Sequence, residues 1–244
     1  MQHDMSRRSF VAGVALCAAG VAATLVACGP SEPASTRPLV TFCAGKAPTP
    51  LAIGVYLAAD QGYFEEDGID VDIVMLEDDE SSEVVVNAAE AQFGLSSQER
   101  LAGCFAIDEP ASIIAVAAVD QPDVSAREGY PHVIIANDAY LVSHPDESRA
   151  FVHALSRGYF YAANNPQTSA DIMLEMVPQL DEEEVRSSLE RLALRLFDEK
   201  GEWGFFDQEL WDAYFAHLQE EGVIDRAIPQ HHGFTNDYLE DAKK

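Results

Sequence analysis

The sequence predicts an α/β fold, built on one mostly parallel β-sheet and completed by a helical C-terminal half. The stretch from Gly54 to Val74 carries the first observation. It predicts a helix that ends at Gly62, a second glycine turn at Gly68, and then a strand in which apolar and acidic residues alternate. A helix that is closed by glycine and followed at once by a strand is half of a βαβ unit.

The same alternation of strand and helix continues through the first half of the chain. Strands are predicted at Leu39–Cys43 and at residues 69–75, 93–95 and 111–119. The helices between them are predicted from the N-cap Thr49 and Pro50 to Gln61, over residues 81–90, and from Ser96 or Ser97 as cap. The last strand is apolar without interruption, as expected of a strand buried on both faces of a parallel sheet.

A different pattern follows Gln121. A polar loop from Pro122 to Pro131 leads into a fifth strand, residues 132–136, and helical periodicity takes over afterwards. Helices are predicted from Pro145 to about Ala163, over residues 167–177, after a capping box of Asp181 and Glu184, and over residues 207–221. This half of the chain is therefore expected to be helical.

The acidic composition excludes one class of function. The chain has 15 lysine and arginine residues against 42 aspartate and glutamate residues, a formal net charge of −27. Nucleic-acid binding needs a basic surface, and adsorption to anionic lipid needs the same, so neither is expected. Such a charge is typical of a soluble, exposed protein. The apolar fraction of 48% is sufficient for an ordinary packed core.

The N-terminus has the pattern of an export signal. Residues 6–11, Ser-Arg-Arg-Ser-Phe-Val, match the twin-arginine motif, and an apolar run follows to Ala27. The run ends in Leu-Val-Ala-Cys-Gly, which resembles the bacterial lipobox and makes Cys28 the expected lipid attachment. We expect residues 1–27 to be a twin-arginine signal, residues 28–38 a tether, and the protein to be lipid-anchored on the outer face of the cell membrane. The alternative is an uncleaved anchor with a buried cysteine.

Two cysteines remain beyond the signal and the lipid-attachment residue, Cys43 and Cys104. They allow at most one disulfide, and nothing in their positions shows that they meet. Two buried thiols are the simplest interpretation. No pair has the Cys-x-x-Cys spacing of a redox or zinc motif.

Several motifs give the chain a family resemblance. They lie in residues 54–74, with Gly-Tyr-Phe at 62–64, and in residues 91–99, 137–141, 158–166 and 234–239. These motifs resemble the solute-binding proteins of bacterial ABC importers, and most nearly the group for thiamine-pyrimidine precursors and sulfonates, which includes hydroxymethylpyrimidine synthase-like proteins. The resemblance implies a periplasmic-binding-protein fold of type II, a small-molecule ligand and an ABC permease as partner.

The chain departs from the family at one point. The resemblance covers residues 39–121 and 131–244, which match the first lobe of the family. In the family, a second α/β lobe is inserted at a hinge between these two blocks. In this chain, only ten residues join Gln121 to His132. A lobe with its own core needs roughly 50 residues. We therefore expect residues 39–244 to form a single lobe, with no clamp that closes over a ligand and with an exposed apolar surface at the former hinge.

Candidate ligand-binding residues follow from the sheet. In open α/β sheets, ligands bind beyond the carboxyl ends of the strands, which here are residues 44–49, 77–82 and 96–99. The side chains and free helix N–H groups of these segments offer a polar wall for a small ligand or anion. The candidates are Lys46, Thr49, Ser96, Ser97, Gln98 and Glu99. Ordinary helix capping by the serines and a solvated loop lysine are the alternatives.

The first loop of the family differs from this chain at two positions. It resembles Trp-x-Pro-x-x-x-His, in which the tryptophan stacks on a pyrimidine and the histidine lies beside it. When the loop is aligned on Pro48, the corresponding residues are Lys46 and Ala52. The resemblance therefore does not extend to the side chains that contact a pyrimidine.

Catalysis and metal binding are not expected. The chain contains no Gly-x-Ser-x-Gly, His-Glu-x-x-His or P-loop motif. A relative of the family makes the pyrimidine from its own histidine, and the matching residue here is Ala52. His231 and His232 lack a third ligand at suitable spacing, so a solvated pair is the simpler interpretation. No cofactor is predicted.

Two functional hypotheses follow. The first is an extracytoplasmic solute-binding lipoprotein of an ABC importer with a one-lobed body, whose ligand is a thiamine-precursor pyrimidine or a related small nitrogen compound. The second is a degenerate or repurposed surface lipoprotein that contacts a protein partner and does not transport. Binding of a small molecule distinguishes the two.

Overall fold

A computed structural model describes residues 35–77, 80–122 and 128–239 of the chain. The predicted signal, residues 1–27, and the predicted lipid attachment, Cys28, lie outside these residues. Within the described part, no helix combines the length and the apolar character needed to cross a bilayer.

Five strands form one sheet. They are β1 Leu39–Cys43, β2 Asp70–Val74, β3 Phe93–Ser96, β4 Ile113–Ala118 and β5 Val133–Asn137. The spatial order is β2-β1-β3-β5-β4. β1 pairs in parallel with β2 and β3, and β5 pairs antiparallel with β3 and β4. Four strands therefore share one direction and only β5 is reversed, which confirms the prediction of a mostly parallel sheet.

Nine helices are found in the described part of the chain. They are α1 Ile53–Asp60, α2 Tyr63–Glu66, α3 Ser82–Asn87, α4 Gln98–Phe105, α5 Asp138–Ser143, α6 Pro145–Asn164, α7 Pro166–Met176, α8 Glu182–Ala193 and α9 Gln208–Glu220. A 3₁₀ turn, Pro50–Ala52, precedes α1. The helical C-terminal half is confirmed, including the cap at Asp181, whose carboxylate accepts a hydrogen bond from the N–H of Glu184 at 2.9 Å. The sequence does not predict α2 and α5 because one or two turns are too short to show a period.

The two faces of the sheet bury separate apolar clusters, because side chains alternate along each strand. On β1, Phe42 belongs to the cluster formed with α1, α6, α7 and α8, whereas the next residue, Cys43, belongs to the cluster formed with α4 and α9. Phe151 of α6 stacks against Phe42, Phe64 and Phe93, with ring centroids 4.2–5.9 Å apart. Helices therefore cover both faces of the sheet.

A polar network holds the connection between β4 and β5. The carboxylate of Asp120, which is 3% exposed, lies 3.0 Å from His132 Nδ1 and 3.6 Å from a guanidinium nitrogen of Arg195. The N–H of Gln121 donates to the carbonyl oxygen of Arg195 at 2.7 Å, and the guanidinium donates back to the carbonyl oxygen of Gln121 at 3.0 Å. These contacts fix both ends of the connection against the segment that follows α8.

The predicted apolar surface at the former hinge is not exposed in the described residues, so that expectation is wrong there. Val119 and Trp203 are at most 2% exposed. The segment between α8 and α9 covers this region, and the N–H of Ala118 donates to the carbonyl oxygen of Gly204 at 2.8 Å. Of the large apolar side chains in that segment, Leu194 is exposed. The covering segment has no helical or strand periodicity, so its sequence does not show where it packs.

Helices α1 and α6 approach each other at their backbones. A Cβ atom on Gly158 would overlap the carbonyl group of Gly54, and one on Gly54 would overlap the ring of Tyr159. Tyr159 is fully buried, and its hydroxyl donates to the carbonyl oxygen of Leu51 at 2.6 Å. Its ring also stacks on Trp203, with centroids 4.9 Å apart. This approach therefore links the two helices to the turn before α1.

Replacing Gly158 by alanine is expected to destabilise the protein by about 3 kcal/mol, because the added methyl group forces apart two helices whose backbones touch. Unfolding in urea measures the change. Gly103 of α4 is the control, since nothing lies within 4 Å of a Cβ atom at that position. An exposed helical glycine is expected to gain about 0.5–1 kcal/mol on replacement by alanine. Equal stability of the two variants would contradict the close approach.

Candidate functional site

The carboxyl ends of three neighbouring strands meet at one edge of the sheet, as the sequence predicts. β1 lies between β2 and β3 and runs parallel to both. The predicted segments 44–49, 77–82 and 96–99 therefore follow these strands on the same side, and residues 78 and 79 of the second segment lie outside the described part. We call these three segments the carboxyl edge. In this fold class it is the place where ligands bind.

Four of the six candidate residues lie at the surface of the carboxyl edge or close to it. Lys46 and Glu99 are exposed, and Thr49 and Ser97 are partly exposed. Thr49 Oγ1 accepts a hydrogen bond from the N–H two residues on, at 3.3 Å, and Ser97 Oγ accepts one from the N–H three residues on, at 3.2 Å. Both hydroxyl oxygens therefore cap helical turns, while a role of these four residues in ligand binding stays a prediction.

The fifth candidate, Gln98, is fully buried and braces two parts of the protein. Its Nε2 donates to the carbonyl oxygen of Trp211 on α9 at 2.9 Å, and its Oε1 accepts from the N–H of Tyr130 at 2.9 Å. Its own N–H donates to the carbonyl oxygen of Tyr130 at 3.1 Å. A ligand would reach this amide only after these bonds were broken, so the structure gives Gln98 a structural role.

The sixth candidate, Ser96, donates its hydroxyl to a buried carboxylate. Glu83 of α3 is 4% exposed, and its Oε1 accepts hydrogen bonds from Ser96 Oγ and from Arg100 Nε, the latter at 2.7 Å. Its Oε2 accepts from a terminal nitrogen of Arg100 at 2.9 Å. Two parallel bonds between a guanidinium and a carboxylate form a strong, directional ion pair. We call Ser81, Glu83, Ser96 and Arg100 the Glu83 cluster.

The hydrogen bonds of the Glu83 cluster keep its carboxylate ionised. Burial would raise the pKa of Glu83, but the hydrogen bonds from Arg100, Ser96, its own backbone N–H and Ser81 outweigh burial and lower the pKa to about 2. The same bonds raise the pKa of Arg100. The cluster is therefore a fixed ion pair, with the negative charge inside and, at the rim, an arginine side chain that is 58% exposed.

The two cysteines do not pair with each other. Both are free. Cys43 is buried, with its sulfur 3.4 Å from the hydroxyl oxygen of Ser82. Cys104 is partly buried, and burial, together with the charge of Glu83, raises the pKa of its thiol, which makes it less reactive. The expectation of two buried thiols is confirmed for Cys43 and only in part for Cys104.

Sequence reasoning misses Glu83 and Arg100 because their pairing depends on the tertiary fold. They are 17 residues apart with a strand between them, so no local period brings them together. One signal was available in the composition. Because the chain has 15 basic and 42 acidic residues, an arginine shortly after a predicted strand is one of few basic residues that can form an ion pair with a buried acid.

The two adjacent histidines make separate contacts. The N–H of His231 donates to Asp212 Oδ1 at 2.9 Å, and His231 Nδ1 lies 3.2 Å from Asp212 Oδ2. His232 packs against the edge of Phe105, with centroids 4.7 Å apart. Among the described residues, no group of three or more His, Cys, Asp or Glu side chains is arranged to hold a metal ion.

A cavity of about 430 Å³ lies between α9 and residues 228–231. Its volume is within the range of small-molecule sites. Residues that line it include Gln208, Asp212, Phe215, Ile228, Gln230 and His231. None of them belongs to the carboxyl edge, so a ligand in this cavity would not contact the predicted residues.

Comparison with known proteins gives one family match by sequence. The family described as NMT1/THI5 like matches residues 49–126 and 120–169. The match begins within the carboxyl edge, passes through the β4–β5 connection and reaches α7. No curated protein sequence matches the chain.

Solved structures with the same fold include ligand-binding proteins. The ligand-binding component of an ABC-type import system from Staphylococcus aureus, with zinc bound, is 11% identical, with a TM-score of 0.62 over 85% of this chain and 100% of that one. The alkanesulfonate-binding protein from Xanthomonas axonopodis pv. citri, bound to MOPS, is 7% identical, with a TM-score of 0.59 over 82% and 99%. The periplasmic nitrate-binding protein from Synechocystis PCC 6803 is 8% identical, with a TM-score of 0.59 over 85% and 88%.

The solved structures define the fold of the protein. The single sheet with helices on both faces is an α/β lobe of the periplasmic-binding-protein fold. Within that fold, its sequence is similar to the NMT1/THI5-like family. The resemblance predicted from its motifs is confirmed at this level.

The stability contributed by Glu83 is expected to disappear in acid. Its folded-state pKa of about 2 lies below the ordinary value of 4.5, so the contribution is complete above pH 4.5 and is lost as the pH falls toward 2. Glu83→Gln removes the charge at nearly constant volume and is expected to destabilise the protein by about 1–3 kcal/mol at neutral pH.

Urea unfolding of both chains at several pH values tests this expectation. The difference in free energy of unfolding should shrink steadily between pH 4.5 and pH 2. Glu99→Gln, on the exposed carboxylate of the same edge, is the control and should change little at any pH. A difference between wild type and Glu83→Gln that does not depend on pH would contradict the ion pair.

Proposed function

We propose that the chain is the extracytoplasmic solute-binding lipoprotein of an ABC importer, with a body of one α/β lobe. The observation that carries this proposal is the family match across the carboxyl edge and the β4–β5 connection. Ten residues between Gln121 and His132 are too few for a second lobe. The lobe therefore presents an open edge, and its ligand stays partly exposed to water and binds weakly. The partner is an ABC permease, and the chain carries out no catalysis.

The ligand that we propose first is a thiamine-precursor pyrimidine or a related small nitrogen compound. The motifs shared with the thiamine-pyrimidine group support this choice. Ala52, at the position of the family histidine, is fully buried, so it offers no contact to a solute. The contacts are assigned to Lys46, Thr49, Ser97 and Glu99, whose side chains reach the surface of the carboxyl edge. Sulfonates and nitrate, which two of the solved proteins above bind, are the second ligand set.

A thermal-shift screen of the full chain tests the ligand. A pyrimidine or related nitrogen compound at saturation is expected to raise the melting temperature by roughly 2–4 °C. Lys46→Ala should reduce this shift, whereas Lys200→Ala, on an exposed lysine outside the carboxyl edge, should leave it unchanged. A shift that both variants retain assigns the ligand to another site, such as the cavity beside α9. No shift with pyrimidines, thiamine, sulfonates or nitrate contradicts the proposed function.

The membrane anchor is tested separately. In cells, the wild-type chain is expected to fractionate with membranes and to incorporate a labelled fatty acid, because Cys28 carries the lipid. Cys28→Ala should lose both properties. Cys17→Ala, within the predicted signal, is the matched control and should retain them. Replacing Arg7 and Arg8 by lysine is expected to stop export by the twin-arginine route, and normal export of that variant would contradict the route.

One observation favours the second function, a repurposed lipoprotein that contacts a protein partner. The buried polar side chains of the carboxyl edge, Ser96 and Gln98, already have partners inside the protein. A lobe that has lost its solute would retain such an edge for stability alone. Under this second function, no compound in the thermal-shift screen raises the melting temperature. Size-exclusion chromatography then shows that the chain assembles with itself or with another protein. A clean monomer that binds a nitrogen compound excludes it.

A further inference from the structure

We propose that Ser96 and Arg100 form a binding site for small carboxylates, which the chain fills with the carboxylate of its own Glu83. The inference goes beyond the proposed function and does not depend on it, because it concerns the occupant of the cluster and not the imported solute. It implies that the wild-type chain excludes free carboxylates from this part of the carboxyl edge.

The donors of the cluster converge on a single carboxylate. Arg100 supplies two parallel N–H bonds, of 2.7 and 2.9 Å, one to each oxygen of Glu83. The hydroxyl group of Ser96 adds a further hydrogen bond, to Oε1 of Glu83. A planar guanidinium fork completed by a hydroxyl donor matches the geometry of a carboxylate, whether that carboxylate is tethered or free. The residues come from two separate parts of the chain, α3 and the segment from β3 to α4, so the site is made by the fold.

The site has an open rim and a closed interior. The side chain of Arg100 is 58% exposed, whereas that of Glu83 is 4% exposed. Ser96, which donates to the same carboxylate, is 6% exposed. An anion that approaches from solvent therefore meets Arg100 first, and the position that its carboxylate would take is already occupied.

Two effects keep free carboxylates out of the wild-type site. Glu83 is held at the start of α3, so its carboxylate acts at the high effective concentration of an intramolecular group. The formal net charge of −27 also lowers the local concentration of anions. Removal of the Glu83 carboxylate cancels the first effect, and high salt screens the second.

Acetate matches the part of Glu83 that an alanine substitution deletes. Glu83→Ala removes a methylene and a carboxylate, and acetate consists of a methyl group and a carboxylate. Bound acetate would restore the ion pair with Arg100 and the hydrogen bond from Ser96 once its methyl group lies about 2 Å away from the former Cγ position, because non-bonded carbon atoms stay about 3.5–4 Å apart. Glu83→Gln keeps the volume filled, so it leaves no room for acetate.

The test compares full-length chains in sodium acetate and in sodium chloride of equal ionic strength. Acetate is expected to raise the melting temperature of Glu83→Ala by roughly 2–4 °C relative to chloride, with less than about 1 °C of change in the wild type and in Glu83→Gln. Line broadening of ¹³C-labelled acetate in the NMR spectrum measures binding directly and should appear with Glu83→Ala alone.

A double variant, Glu83→Ala with Arg100→Ala, is the control for the site. Acetate stabilisation that survives in the double variant would overturn the proposal, as would an equal effect on the wild type. Should Glu83→Ala fail to fold in chloride, its refolding yield in acetate becomes the measurement. A yield at least about twofold higher in acetate supports the site, since this follows from ligand-linked stability. Equal yields count against it.

Discussion

The backbone contact between Gly54 and Gly158 is the constraint on which the packing of α6 against α1 depends. It lets α6 pack directly on α1, so that the ring of Tyr159, on α6, lies against Gly54 of α1. The hydroxyl of Tyr159 donates a hydrogen bond to the carbonyl oxygen of Leu51, in the turn that follows residues 44–49 of the carboxyl edge. The ring of Tyr159 also stacks on Trp203, which lies in the segment that covers β4. A single close approach between two helices therefore positions parts of the chain that are far apart in sequence.

The direction of β5, which runs opposite to the other four strands, explains how a single lobe completes its sheet. Parallel neighbours need a long crossover between them, usually a helix, whereas antiparallel neighbours are joined by a short connection. β5 lies between β3 and β4, antiparallel to both, and all five of its residues are buried. The short connection after Gln121 is therefore sufficient, and the Asp120, His132 and Arg195 network fixes its ends.

How well the sequence predicts each feature depends on the range of the interactions behind it. β1 is predicted at its observed bounds, and α6 within one residue, because alternation, period and capping act locally. The carboxyl edge is also predicted, since it follows from the order of strands and helices. The Glu83 cluster and the cover over Trp203 are not predicted, because both depend on contacts between segments that share no pattern.

The distribution of buried polar residues connects stability with binding at this edge. Of the nine buried polar or charged residues in the described part of the chain, five lie at the ends of the parallel strands or in the segments after them: Ser82, Glu83, Ser96, Gln98 and Asp120. A buried polar group without a partner destabilises a fold by about 1–3 kcal/mol, and the hydrogen bonds of these residues avoid that penalty. Donors that stabilise the lobe in this way are no longer available to a solute. A ligand at the carboxyl edge is therefore left with exposed groups such as Lys46 and Glu99, where water competes for every hydrogen bond.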